Sequence, residues 1–398
     1  KEIIMKRNIS NDIYYVGVND RQKHAFENYL PLPYGVAYNS YLITDEKITL
    51  IDTVDAHFID IFLSKIDCVI EGKSIDYLVV NHVEPDHSGS IRLLMNKYPE
   101  MKIIGNVKTI DMLRGFYELP LDKFIEVKDG GTLNIGKRTL SFYFAPMVHW
   151  PEVMVTYEPE EKILFSADAF GCFGTLDGGI FDDELNLDHI WDDMRRYYAC
   201  IVGKYGMPTQ AALKKLSALP INMVCSTHGP IWRKEISKVV GLYDKWSKYE
   251  TDNGVVIAYG SMYGNTEQMA EAVAHGVSST GIKDIVLHNV SKSDASFILS
   301  DVFKYKGFIV GSPTYMVELF PLVDSLLNKI QHRGVKNHYF GCFGSYSWAS
   351  QIYQRMIDFQ TDLDWELVAE PVKNKYGFGA DDYKQCYELG VAMGKKLL

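Results

Sequence analysis

The chain has no apolar run of about 18 residues, the length that a membrane-crossing helix requires, and its opening, KEIIMKRNIS, lacks the apolar stretch of a secretory signal. It has no C-x-x-C pair. Six cysteines stand scattered at 68, 172, 200, 225, 342 and 386, which excludes a zinc ribbon and reads as the reduced thiols of a cytoplasmic protein rather than a disulfide framework. Positive charge is in short supply, with 41 Lys and Arg against 51 Asp and Glu and a net charge of −10. That balance suits neither nucleic acid nor an anionic membrane as a partner. There is no G-x-x-x-x-G-K-[ST] and no G-x-G-x-x-G, so neither a nucleoside triphosphate with magnesium nor a dinucleotide is indicated. What remains is 398 residues of ordinary globular composition, 47% hydrophobic and 23% charged, too long for a single core. Aromatic residues are frequent, with 26 Tyr; a planar cofactor is one use for them and core packing another.

The pattern of the chain changes near residue 250. Up to that point, short apolar runs such as IYYVGV (13–18), YLVVNH (77–82), TLSFYFAP (139–146) and KILFSAD (162–168) have the alternation and β-branched content of strands. Between some of them lie amphipathic helices: in 57–69 Phe58, Ile61, Phe62, Ile66 and Val69 follow the helical period. Strand-rich layers with helices outside predict an αββα sandwich over 1–250. The polar cluster TDNG (251–254) predicts a turn and domain boundary. From 254 to 398 five strands alternate with five helices, which predicts a doubly wound parallel sheet, in the order 2-1-3-4-5, with its ligand at the carboxyl ends of the strands.

The densest chemical signal is NHVEPDHSGS (81–90), directly after the strand YLVV. His82, Glu84, Asp86 and His87 are expensive to bury together unless something binds them. His82, Glu84 and Asp86 alternate with the extended period, so a loop leaving a strand can aim several of them at one point. Three more strand ends add to the set: His149 in APMVHWPE, Asp168 in LFSADAF and His228 in CSTHGPIW. Singly these histidines read as structural or surface residues; four strand-end sites together point to metal binding.

A second signal is YGSMYGNTE (259–267), between the strand VVIAY and a helix with an apolar face of Met269, Ala270, Val273 and Val277. Backbone N–H groups at a helix start, with the hydroxyls of Ser261 and Thr266, make a neutral cradle suited to a phosphate monoester; an Asn-capped helix start explains the turn equally well. GSPTYMVELFP (311–321) and GCFGSYSWAS (341–350) then place Tyr315, Tyr346 and Trp348 at the same edge of the sheet.

H-x-E-x-D-H followed by a separate His, Asp and His resembles the metallo-β-lactamase superfamily, whose hydrolases commonly carry H-x-H-x-D-H. With Glu84 in the second position the chain looks like the flavodiiron proteins, and a carboxylate in place of an imidazole suits iron more than zinc. The three later loops resemble those of flavodoxin, and together the resemblance covers residues 5–398. It implies a metallo-β-lactamase-like di-iron domain (1–250), a flavodoxin-like FMN domain (254–398), and as cofactors FMN and two non-haem iron ions. One iron would take His82, Glu84, His149 and Asp168, and the other Asp86, His87, Asp168 and His228, with His87 the ligand that varies within the family. His24, in RQKHAFENYLPLPYG, and Tyr197 or Tyr198, in MRRYYA, stand where groups that hydrogen-bond the bound gas are expected. The FMN contacts would be Ser261, Met262, Tyr263, Gly264, Asn265 and Thr266, then Pro313, Thr314, Tyr315 and Met316, then Gly344, Ser345, Tyr346, Ser347 and Trp348. Met316 departs from the Asn common in the family, and Ser347 and Ser350 from Gly.

The resemblance implies an oxidoreductase that passes electrons from FMN to the irons and reduces dioxygen to water, nitric oxide to nitrous oxide, or both. With no C-x-x-C unit for rubredoxin iron in the chain, the expected donor is a separate molecule, rubredoxin or a reduced deazaflavin. The expected assembly is a head-to-tail homodimer or a dimer of dimers. Two other classes compete: a binuclear zinc hydrolase using metal-bound hydroxide, against which Glu84 and the flavin-type loops argue, and a flavodoxin-like carrier with a docking module, which has no use for seven converging ligands.

Overall fold

The computed structural model describes residues 6–398. They form two compact units, one running to Tyr197 and resuming over Met207–Asp244, the other comprising Tyr198–Gly206 and Lys245–Leu398. The segment 198–206 is thus counted with the second unit although the sequence alone assigns it to the first. TDNG is not a free turn either: Asp252–Tyr259 is already strand.

The first unit is a sandwich of two sheets. In spatial order, one contains Arg7–Ser10, Ile13–Tyr15, Tyr41–Ile43, Thr49–Ile51, Tyr77–Val79, Lys102–Gly105 and Phe124–Glu126. The other contains Thr132–Asn134, Thr139–Phe144, Met154–Glu158, Ile163–Phe165 and Met223–Cys225. Each sheet is antiparallel at one end and becomes parallel at the other. Between them Ile13, Tyr41, Ile51 and Val79 from one face pack with Leu140, Phe142, Met154 and Phe165 from the other in one buried core. This is the packing expected of sheets whose side chains alternate inward and outward. The outer helix Ile59–Ile70 buries Phe62, Ile66, Val69 and Ile70; Ile61, which fits the same period, is instead exposed at the edge of the stripe.

The second unit is a parallel sheet ordered Ile285–Asn289, Asp252–Tyr259, Tyr305–Tyr315, Tyr339–Tyr346 and a divided last strand, Glu366–Leu367 and Val372–Lys375. This is the 2-1-3-4-5 order. The last strand breaks around Pro371, which has no N–H to give to the ladder. No helix among the described residues is long and apolar enough to cross a membrane.

Helices Asn265–Ser279 and Ala380–Leu397 cross in backbone contact at two glycines. A Cβ on Gly390 would sit 2.0 Å from the Val273 carbonyl oxygen, and one on Gly276 2.0 Å from that of Tyr387. Backbone cannot retreat as a flexible side chain can, so Gly390→Ala should destabilise the unit by about 1–3 kcal/mol, the usual range for overpacking. Gly115→Ala, in a helix with open space around the position, should stabilise by about 0.5–1 kcal/mol. Thermal melts of the two variants should move in opposite directions.

Candidate functional site

The loop after strand Tyr77–Val79 stays extended only to Glu84. Pro85 then opens a short helix, Pro85–Ser88, a position where its missing N–H and fixed φ are no handicap. Asp86 is therefore presented from a helical turn, not from the extended alternation that the sequence suggests, and His87 comes from the same turn. The turn is pinned: Thr53 Oγ1 donates to the His87 carbonyl at 2.6 Å, and the His87 N–H to the Glu84 carbonyl at 2.9 Å. His149 lies in the turns after strand Thr139–Phe144, Asp168 in the turn after Ile163–Phe165, and His228 in the turn after Met223–Cys225.

These seven residues, all buried, meet in two groups: His82, Glu84, His149 and Asp168 in one, Asp86, His87 and His228 in the other. The Asp168 carboxylate joins them. Its Oδ2 lies 3.1 Å from His149 Nε2 and 3.6 Å from His82 Nε2, while its Oδ1 lies 3.1 Å from His87 Nε2 and 3.9 Å from His228 Nε2. His87 turns its Nε2 inward, 3.0 Å from His228 Nε2 and 3.3 Å from Asp86 Oδ2.

The supporting contacts fix the rings. Glu152 Oε1 accepts from His82 Nδ1 at 2.8 Å and from the Val83 N–H at 2.9 Å. The Ala37 carbonyl accepts from His228 Nδ1 at 2.8 Å. Thr227 Oγ1 donates to Asp168 Oδ1 at 2.5 Å and the Tyr197 hydroxyl to Asp168 Oδ2 at 2.8 Å. Asp52, buried and at φ +53°, takes the Asn81 N–H at 2.7 Å and its side-chain amide at 3.0 Å, and so holds the root of the His82 loop. Burial pushes the Asp52 carboxyl up to about 6, against the opposing pull of His87.

The cluster demands positive charge. Burial alone would lower the histidines, yet Asp86 and Asp168 raise His87 to about 9, and Asp168 and Glu84 raise His149 to about 9. Burial likewise opposes the ionised form of Asp168, but His82 and His87 hold it well below the usual carboxylate range. Both carboxylate oxygens of Asp86 are buried without a hydrogen-bond partner. Paired carboxylates and imidazoles that lack enough donors of their own are what a pair of N/O-ligated cations satisfies. The residues therefore fit two metal ions.

On one side the cluster faces a cavity of about 520 Å³ lined by Glu84 and Asp86 with Lys23, Phe26, Glu27, Asp55, His57 and Tyr117. His24 is exposed and is not among the lining residues. The hairpin it leads into turns at Glu27 and Asn28, φ +51° and +54°, and brings Phe26 and Glu27 to the cavity instead. Phe26 packs edge-on against His228 with ring centroids 5.5 Å apart. Burial and the Glu84 carboxylate push Glu27 up to about 7. Of the two tyrosines, Tyr197 reaches the cluster. Consecutive helical residues point roughly 100° apart, and Tyr198 accordingly packs on Trp246 and Phe303, in the second unit. Glu152, Asp52 and Glu27 are absent from the sequence reading. Glu152 had a visible signal, a carboxylate three residues after His149 in the same short turn.

In the second unit a cleft of about 380 Å³ lies at the carboxyl ends of the strands. Met262, Tyr263, Asn265, Pro313, Thr314, Tyr315, Met316, Ser345, Tyr346, Ser347 and Trp348 all line it. Ser261, Gly264, Thr266 and Gly344 do not line the cleft directly. Gly264 precedes the helix Asn265–Ser279 at φ +94° with open space around its missing Cβ, and no side chain caps the helix. Its N–H groups are left for an anion. Thr266 Oγ1 meets Ser345 Oγ at 3.0 Å, and Ser261 Oγ accepts from the Gly264 N–H at 3.1 Å. Gly344 has no room for a side chain, since a Cβ would lie 2.5 Å from Ile352. Val317 and Tyr376 also line the cleft, unforeseen from sequence. Met316 and Val317 form a two-residue turn at φ +51° and +73° between paired Thr314–Tyr315 and Glu318–Leu319. A β-branched residue at positive φ is a true outlier, so the hairpin tip is held in a strained shape beside the cleft. Tyr263, Trp348 and Met316 are 97%, 84% and 81% exposed, which leaves flat apolar surface around the cleft for a planar ring. The uncapped helix and these aromatics fit a flavin mononucleotide.

Residues 36–229 match the family profile described as ODP family beta lactamase, and residues 257–389 match that of flavodoxin. An uncharacterised protein of Methanocaldococcus jannaschii is 36% identical over 98% of both chains. The anaerobic nitric oxide reductase flavorubredoxin of Aliivibrio fischeri is 35% identical over 98% of this chain and 80% of its own length. Among solved structures, the rubredoxin oxygen:oxidoreductase of Desulfovibrio gigas superposes with a TM-score of 0.95 at 32% identity, covering 98% of each chain. The flavodiiron protein of Giardia intestinalis superposes with a TM-score of 0.95 at 30% identity, covering 98% of this chain and 96% of that one. With both halves matched in this order and relatives aligned over nearly its whole length, the chain belongs to the flavodiiron proteins.

Proposed function

We propose that this flavodiiron oxidoreductase binds one iron through His82, Glu84, His149 and Asp168 and the other through Asp86, His87, His228 and the second oxygen of Asp168. The observation that carries the assignment is the division of the Asp168 carboxylate, one oxygen toward each group. Bound FMN and iron supply electron transfer to dioxygen, nitric oxide or both. The chain's own residues hold the geometry in which that happens. Glu152 and the Ala37 carbonyl fix which nitrogens of His82 and His228 face inward, as outer partners of metal-ligating histidines do. Tyr197 and Thr227 orient Asp168. Lys23, Glu27 and Asp55 set titratable groups in the otherwise largely apolar wall of the cavity on the Glu84 side, where they can exchange protons with water. Ser261, Thr266 and the start of helix Asn265–Ser279 hold the FMN phosphate, and Tyr315, Tyr346 and Trp348 flank its ring.

The donor is proposed to be a separate rubredoxin or reduced deazaflavin, and the assembly a head-to-tail homodimer or a dimer of dimers, as the family resemblance implies. A cytoplasmic location agrees with six cysteines scattered along the chain without a C-x-x-C spacing.

Asp168→Ala should strip both metals, read as iron per chain after anaerobic preparation, with FMN retained. Glu152→Ala should weaken iron binding about 10–100-fold, the usual effect of losing an outer partner; iron retained at wild-type affinity in both variants would refute the ligand assignment. Thr266→Ala combined with Ser261→Ala should release FMN on dilution while iron stays in place, measured by flavin fluorescence in the filtrate. Anaerobic turnover of pre-reduced holoprotein with dioxygen and with nitric oxide, each with and without rubredoxin, tests the activity itself. Consumption of either gas with loss of activity on iron removal is expected, and activity that survives complete iron removal would reject it.

A further inference from the structure

The loops that carry His149 and Asp168 have a second side. Together with the helix Gly206–Leu216 they line a partly open cavity whose wall includes Val148, Val153, Ala169, Phe170 and the half-buried Ala212 and Leu213. Val148 directly precedes His149, and Ala169 directly follows Asp168. The centre of a water-sized sphere sweeps about 20 Å³ there, more than the roughly 10–15 Å³ that one water needs. The wall is nearly all carbon. Of the lining residues Ser166, Thr209 and Tyr243 carry hydroxyls; that of Ser166 is given to the Ala169 carbonyl at 2.8 Å, and the Tyr243 ring lies against Phe170 with centroids 4.7 Å apart.

A buried water requires two to four polar partners, whereas apolar cavities of this kind stay dry and take up xenon or small hydrocarbons. Dioxygen and nitric oxide are small and hydrogen-bond weakly, so they leave water for such a cavity for the same reason that a methyl group does. The cavity beside Glu84 and Asp86 carries charged side chains, Lys23, Glu27 and Asp55 among them, whereas no charged residue lines this one.

We propose that the apolar cavity is a holding site for the gaseous substrate, a small and nearly apolar diatomic molecule, one residue along the chain from His149 and from Asp168. The proposal rests on the gas-reductase reading above.

Xenon is the probe, applied to holoprotein under pressure and located by crystallography or xenon NMR. Ala212→Leu fills the cavity from a helix that favours Leu, and Leu213→Ala enlarges it. Xenon is expected in the cavity of the wild type, absent in Ala212→Leu and more strongly bound in Leu213→Ala. KM for the gas should rise at least threefold in Ala212→Leu with kcat unchanged, and should not rise in Leu213→Ala. Absence of xenon from a wild-type protein that turns over normally overturns the holding site alone. So does displacement of xenon by Ala212→Leu with KM unmoved. Xenon bound in a protein that reduces neither gas overturns the reductase reading and, with it, the role given to the cavity. Unchanged melting and iron content in Ala212→Leu exclude misfolding as the cause of a raised KM, and Leu213→Ala tests the site from the opposite direction.

Discussion

The organisation of the first unit depends on one shared carboxylate. Asp168 is buried, flanked by four histidines, and divided between two groups of side chains that could hold a metal ion. A lone buried carboxylate is costly, and nothing in the two-sheet core could compensate it. The histidines can, but only by holding charge that burial opposes, which is why His87 and His149 are raised to about 9. Metal ions are the better answer to the same electrostatic problem. The turns after strands of both sheets, the helical turn at Pro85 and the supports from Glu152, Thr227 and Tyr197 all serve to bring donors to that one residue.

The second unit solves a different problem with a similar device. A helix start left without a side-chain cap offers its N–H groups to a phosphate, and Gly264 at φ +94° makes the approach possible. The strained Met316–Val317 tip and the exposed Tyr263 and Trp348 are poor choices for a surface with no occupant. They are reasonable beside a planar ring, where burial of aromatic surface offsets the local strain.

Much of this was legible because it is written in short segments. NHVEPDHSGS concentrates its chemistry within ten residues, and the alternation of strands and helices after 254 dictates the 2-1-3-4-5 sheet. What was not legible depends on geometry that sequence spacing does not encode. Which of Tyr197 and Tyr198 faces the cluster is a matter of helix phase. Glu27 rather than His24 reaches the cavity because two consecutive positive-φ residues turn the hairpin there. Asp52 looks like the polar end of an ordinary strand until the His82 loop is seen to hang from it. Tyr376 joins the cleft proposed for FMN from a loop following Val372–Lys375, far along the chain from the other aromatics. TDNG reads as a linker by composition, but pairing with Tyr305 carries Asp252 into the sheet.

Two irons sharing Asp168, each with its own histidines, would form one coupled pair. Mössbauer spectroscopy of anaerobically prepared, iron-loaded holoprotein, followed through stepwise reduction, tests it directly. Two iron populations of equal size that behave as one magnetically coupled pair are expected. A single iron environment, or two irons that titrate and relax independently of each other, would contradict it.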